Sequence, residues 1–184
     1  MKRSLEFRVY VGTYAKYNAG SIFGQWLDLS DYADLADFYQ ACLLLHEDEE
    51  SPELMFQDHE GIPEMLISES WLDENVYAYM EAVSEMDDQR AEAFDIYCTQ
   101  IEGWLKRGDS FEDLLTTFND SYQGYFGGSM TCAKEEFAYC LVEETGLLSG
   151  MPEVLTRYFD YEAYGRDLFL DGYSEYDGHV FLDQ

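Results

Sequence analysis

From Tyr17 to Gln89 the chain runs for 73 residues without a lysine or arginine, and 19 of those residues are Asp or Glu. A chain with merely scattered surface charge would place some lysines there for pairing one helical turn away. None were placed, so these carboxylates must decorate the outside of a folded body. The imbalance extends to the whole 184 residues, where 39 acidic groups against 10 Lys and Arg give a formal charge of −29. Self-repulsion on that scale opposes compaction, and a chain that keeps it has a use for it. A disordered acidic tail is excluded, because 47% of the residues are hydrophobic and 17% aromatic.

Taken in order, Phe7 to Tyr14 alternates apolar and polar residues as a half-buried strand does. The AKYNAG segment turns it, and Ser21 to Leu29, carrying Trp26, returns as a second strand. Ser30 is placed to cap a helix from Asp31 to about His46, with Tyr32, Leu35, Tyr39 and Leu43 inward. Glu53 to Asp58 reads as a third strand ending at Gly61. Beyond Pro63 the period becomes helical: Leu72, Val76, Met80 and Val83 form an apolar stripe, and Glu74, Glu81, Glu85 and Asp88 an acidic one. Asp87 and Asp88 open a further helix with Phe94, Cys98, Ile101 and Leu105 inward, closed by Lys106, Arg107 and Gly108. Ser110 with Asp113 forms a capping-box pattern, and Asn119 to Gly128 a turn and an aromatic strand. Thr131 starts a helix that Gly146 ends. Pro152 opens the next, whose Val154, Leu155, Tyr158 and Phe159 share one face that must pack on something. Arg157 and Arg166, set among carboxylates, read as buried or half-buried arginine forks. Asp177-Gly178 between Tyr173–Tyr176 and His179–Leu182 marks a tight hairpin.

The fold class is therefore α+β. It divides into an N-terminal sheet with a helix over 1–61, an acidic helical bundle over 62–109 and a C-terminal α+β unit over 110–184.

Two stretches carry more than pattern. Val9 to Leu29, VYVGTYAKYNAGSIFGQWLDL, and Glu143 to Gly172, with its ETG, proline-started helix and DYEAYGRDL, resemble the opening and the C-terminal signature of the ArdA antirestriction proteins. The two motifs stand in the family's order, and the middle is similar in acidity and helical pattern. The resemblance implies an elongated chain of small subdomains and a homodimer that mimics bent double-stranded DNA. It also implies carriage on a mobile genetic element and a type I restriction-modification enzyme as the partner.

Chemistry weighs the same way. Carboxylate pairs are everywhere, so none stands out as a general acid and base. Cys42, Cys98, Cys132 and Cys140 form no CxxC pair and the three histidines lie far apart, which argues against zinc. Asp28, Asp31, Asp34 and Asp37 have helix spacing rather than calcium-loop spacing. No nucleophile elbow, phosphate loop or dinucleotide fingerprint is present. The expectation is a protein without catalytic residues, metal or cofactor. Lys2, Arg3, Glu6 and Arg8 break up any apolar leader, so a cytoplasmic protein with neither a membrane nor nucleic acid as partner is expected. Salt adaptation is one alternative, and it explains the missing lysines but neither the acid concentrated in a cation-free middle nor the two family-like ends; a divalent-metal-binding or acidic carbohydrate-processing protein is the other, and it needs clustered ligands that the sequence does not offer.

The candidate acidic surface consists of Asp31, Asp34 and Asp37; the run Glu47, Asp48, Glu49 and Glu50; Asp58 and Glu60; Asp73 and Glu74; Glu81 and Glu85; Asp87, Asp88 and Asp95; and Glu112, Asp113 and Asp120. At two charges per base pair, −29 equals the charge of roughly 15 base pairs. Tyr122 to Met130 holds no charged residue, and its Tyr122, Tyr125, Phe126 and Met130 are the candidate dimer interface.

Overall fold

The structure, a computed structural model, describes residues 6–105, 110–128, 130 and 132–183, with only the backbone described at 171. It is mixed helix and strand, and its contacts divide it into two compact units, Met1–Ala91 and Glu92–Gln184.

The first unit is built on strand β1 (Arg8–Thr13), flanked by β2 (Gln25–Asp28) and β3 (Leu54–Glu60) in an antiparallel sheet ordered β2-β1-β3. Alternation puts Val9 and Val11 fully inside. The AKYNAG turn contains a one-turn helix, α1 (Tyr14–Asn18), because the Thr13 hydroxyl accepts the Lys16 N–H and starts it.

The next helix begins later than the sequence suggests. Asp28 takes both the N–H and the hydroxyl of Ser30 and caps a 3-10 turn over Leu29–Asp31, so Ser30 lies inside that turn rather than at a helix start. Asp34 caps instead, accepting the Asp37 N–H at 2.9 Å, and α2 runs Leu35–Leu45. Its buried face is Phe38 and Cys42, with Leu35 and Tyr39 half-buried; Leu43, read as inward, is exposed. Phe38 meets Tyr32, Tyr39 and Phe56 at ring distances of 5.6–6.2 Å, the centre of this unit's core. A 3-10 turn (Glu64–Leu66) and a bridge between Ile67 and Leu72 lead into α3 (Val76–Glu85), which buries Val76, Tyr79 and Val83.

Helix α4 (Asp88–Ile96), within which the division falls, is capped by Asp87 and passes into a π-helical turn over Tyr97–Ile101. The end expected at Lys106, Arg107 and Gly108 lies outside the described residues. Helix α5 (Phe111–Ser121) starts at Ser110, whose side chain makes no capping bond, so the capping box is not formed. Strand β4 (Tyr122–Tyr125) follows directly.

Helix α6 (Ala133–Thr145) begins at Cys132 and closes on Gly146 at φ +63°, the left-handed cap expected there; Thr131 lies outside the described residues. The short α7 (Glu153–Thr156) follows Pro152, and α8 (Tyr161–Asp171) is capped by Asp160. Strands β5 (Tyr173–Tyr176) and β6 (His179–Leu182) join through Asp177 and Gly178, both at positive φ as a tight hairpin turn requires. The second sheet is antiparallel, ordered β4-β6-β5. Phe181 of β6 is fully buried together with Phe94 and Phe118, and Phe118 stacks on Tyr122 at 5.4 Å. Helix α8 approaches α6 so closely at Gly165 that a Cβ there would stand 2.6 Å from the Lys134 carbonyl oxygen.

Two expectations for this unit fail. Helix α7 buries nothing: of the face expected to pack, Val154 and Leu155 are 68% and 53% exposed and Tyr158, just beyond the helix, 84%, while Phe159 alone is half-buried, against Tyr161 and Tyr164. The arginines are not buried forks; Arg157 pairs with Glu153 and Arg166 with Asp167 on the surface, since both side chains are about two-thirds or more exposed among the described residues.

Candidate functional site

Sixteen of the 19 predicted surface carboxylates are exposed, and Glu49, Asp73 and Asp95 are half-buried. Fifteen belong to the first unit; only Asp95, Glu112, Asp113 and Asp120 belong to the second.

Each is held by its element. Asp34 and Asp37 sit at the start of α2, and Asp87 and Asp88 at the start of α4. Glu112 and Asp113 occupy the first turn of α5. There the partial positive charge of the helix end partly offsets carboxylate repulsion, so clustering acid at helix starts is the least costly way to carry it. Asp58 and Glu60 lie two apart on β3 and share its outer face, about 7 Å apart along the strand. Glu81 and Glu85 share one face of α3, about 6 Å apart along its axis. Glu74 precedes α3 and Asp88 opens α4, so the expected four-residue stripe is divided among three segments.

The field of these groups is felt inside the unit. Tyr77 is pushed up to about 12 by burial and by the nearby charges of Asp34 and Asp37, while its hydroxyl donates to the Leu29 carbonyl at 3.1 Å.

One cluster departs from a solvated surface. The Lys16 ammonium lies 2.7 Å from Asp48 Oδ1, 3.4 Å from Glu49 Oε1 and 3.0 Å from His46 Nδ1, and 4.7 Å from the Phe23 ring centre. Glu49 also accepts the Thr13 hydroxyl at 2.6 Å, and the fully buried His46 sits with Nε2 3.3 Å from the Val11 carbonyl oxygen. The Lys16 bond holds the Asp48 carboxyl below its ordinary value. The ligand atoms of His46, Asp48 and Glu49 lie within 4.8 Å of one another, the spacing of a cation site, and the ammonium lies among them. The run from Glu47 to Glu50 is therefore half surface and half clasp. A signal existed in the sequence: Lys16 is the last cation before the 73-residue gap.

The aromatic segment is similarly mixed. Among the described residues, strand β4 is an edge of its sheet, bonded to β6 alone. Tyr125 and Met130 are 43% and 39% exposed, whereas Tyr122 turns inward against Phe118, Phe181 and His179, and Phe126 packs on Phe137. Among the described residues, no helix is long and apolar enough to cross a membrane.

No curated protein matches the chain. The family model described as antirestriction protein (ArdA) matches residues 9–181, which takes in all but the end residues Arg8 and Leu182 of the two sheets and all 19 predicted surface carboxylates. An acidic chain whose carboxylates are held outward at helix starts and strand faces, matched over nearly its whole length, belongs to the ArdA antirestriction family.

Proposed function

We propose that this antirestriction protein works as a mimic of double-stranded DNA, filling the DNA groove of type I restriction-modification enzymes and so inhibiting them. The observation that carries the reading is the outward presentation of sixteen carboxylates by helices, turns and a strand face, most of them in a segment without cations. A groove that binds DNA is lined with lysine and arginine and exchanges one polyanion for another. Inhibition on these terms needs occupancy and no reaction. The same reading makes the protein a cytoplasmic homodimer, joined where the charge-free edge strand β4 and Tyr125 lie open, so that two copies approach without bringing acid against acid.

The test is to mix the chain with a type I methyltransferase core and titrate in duplex DNA. A complex that DNA displaces, and that weakens steeply with salt, supports the mimic. No complex at any salt concentration refutes it.

A further inference from the structure

In the first unit a cleft of about 690 Å³ opens beside strand β3. Tyr17 and Ile22 reach it from the connection between β1 and β2, Met55 from β3, and Ile67 from the segment that follows the strand. Met55 and Ile67 are nearly buried, whereas Ile22 is 81% and Tyr17 53% exposed, so apolar surface runs from the inside of the cleft out to its mouth. Two carboxylates complete the lining, Glu64 and Glu69, both exposed. Their backbone is fixed: Glu64 lies in the 3-10 turn after Pro63, and the Glu69 carbonyl accepts the Phe56 N–H at 2.7 Å. Among the described residues neither carboxylate is paired with a cation. The sequence around them supplies none, because residues 17–89 hold no Lys or Arg, and Arg8 and Lys16 before them are engaged by Glu60 and Asp48.

We propose that this cleft is a receptor for one arginine side chain of a partner protein. Resting on the function proposed above, that arginine is one of those lining the DNA groove of the inhibited enzyme. The occupant must bring an apolar stem to Ile22, Met55 and Ile67 and positive charge to Glu64 and Glu69, and arginine and lysine are the side chains that combine the two. Arginine is favoured between them. Its planar, weakly hydrated guanidinium has five donors to divide between two carboxylates and can lie flat on a ring such as Tyr17, whereas the lysine ammonium is a compact, strongly hydrated point charge. A phosphate is repelled by the same carboxylates, and a second copy of the chain, itself at −29, approaches them against like charge. On the open acidic surface either cation serves; the cleft adds a preference for one of them.

The probes are N-acetylarginine amide and N-acetyllysine amide, titrated into the isotope-labelled full chain and followed by amide NMR. The arginine probe should shift resonances around Tyr17, Ile22, 55–59 and 64–69 with a dissociation constant on the order of 1 mM, as expected for a single side chain, and the lysine probe should bind about fivefold more weakly. Glu64→Gln/Glu69→Gln should abolish the arginine shifts, and Ile22→Ser should weaken binding several-fold. Glu81→Gln/Glu85→Gln, which removes the same charge from α3, should leave the shifts in place. Equal affinity for the two probes, or shifts spread over the acidic surface and lost equally in both glutamine pairs, overturns the cleft and leaves the mimic standing. Against a type I methyltransferase core, Ile22→Ser, unchanged in formal charge, should lose affinity several-fold at every salt concentration; wild-type affinity there overturns the enzyme as the source of the arginine. A core that the wild type binds at no salt concentration refutes the mimic, and the probe titration decides the cleft independently. Should the Glu64/Glu69 variant lose its circular dichroism, Ile22→Ser, at a side chain standing in solvent, decides alone, and an unaltered arginine titration refutes the cleft.

Discussion

Replacing Gly165 by alanine sets two effects of known size against each other. Gly165 lies inside α8, where alanine is favoured over glycine by about 1 kcal/mol through helix propensity alone. Against that, the new Cβ would stand 2.6 Å from the carbonyl oxygen of Lys134, 3.0 Å from its carbonyl carbon and 3.4 Å from the Ala138 Cβ. The first two atoms are α6 backbone and cannot rotate away, so the two helices must separate. Overpacking of this kind costs about 1–3 kcal/mol. The clash therefore wins, and Gly165→Ala should destabilise the second unit by about 1 kcal/mol net. Urea denaturation read by the tyrosine environment of that unit measures it, with amide exchange on α6 and α8 as the local readout. Gly128→Ala is the control, since nothing lies within 4 Å of its Cβ position. If Gly165→Ala stabilises the protein by the full helix-propensity gain, α6 and α8 do not touch as described and the reasoning fails.

Tyr77 titrates higher in the folded chain, near 12, than in the unfolded one, near 10, so its contribution to stability is complete below pH 10 and is lost as pH rises toward 12. The first unit should weaken over that interval, and less steeply in Tyr77→Phe; identical alkaline slopes would refute this. In the native protein, iodoacetamide should label the exposed Cys132 first, while Cys42, whose thiol burial pushes up to about 12, and Cys98, pushed higher still by burial and then Asp95, should react only on unfolding. Mass mapping of the alkylated sites decides it. Inhibition should survive Glu81→Ala or Asp88→Ala nearly intact and fall clearly when Glu74, Glu81, Glu85 and Asp88 all become Lys; abolition by one alanine in a folded protein would point to a discrete site. Tyr125→Asp, which spares the Phe126–Phe137 packing, should yield a folded monomer in sedimentation, and a persisting dimer would move the interface elsewhere.

What the sequence made legible was local chemistry. The Asp177-Gly178 hairpin, the Gly146 helix end and the three N-terminal strands are each set by residues within a few positions of one another. Periodicity was a weaker guide, because it shows that a helix has an apolar face without showing that a neighbour exists to cover it. That is why Val154, Leu155 and Tyr158 read as core and are found in solvent. The start of α2 was misplaced because Asp28, Ser30 and Asp34 all compete as caps, and only the path of the chain decides among them. Of the carboxylate surface, exposure was readable from the missing cations. The clasp on Asp48 and Glu49 left only the position of Lys16 as a signal, because it joins residues about 30 positions apart.

The capping aspartates couple the charge of this protein to its folding. Asp34, Asp87 and Asp160 each accept a backbone N–H three residues on, and Asp28 and Asp73 close tighter turns in the same manner. Asparagine has the same shape and caps nearly as well. Aspartate-to-asparagine replacement at these five positions would thus erase charge while leaving the start signals of the chain in place. Glutamates that cap nothing can be neutralised independently of them. The molecule offers a built-in dial: a graded series from −29 to −24 on one backbone, against which the charge dependence of any binding event could be calibrated without altering shape.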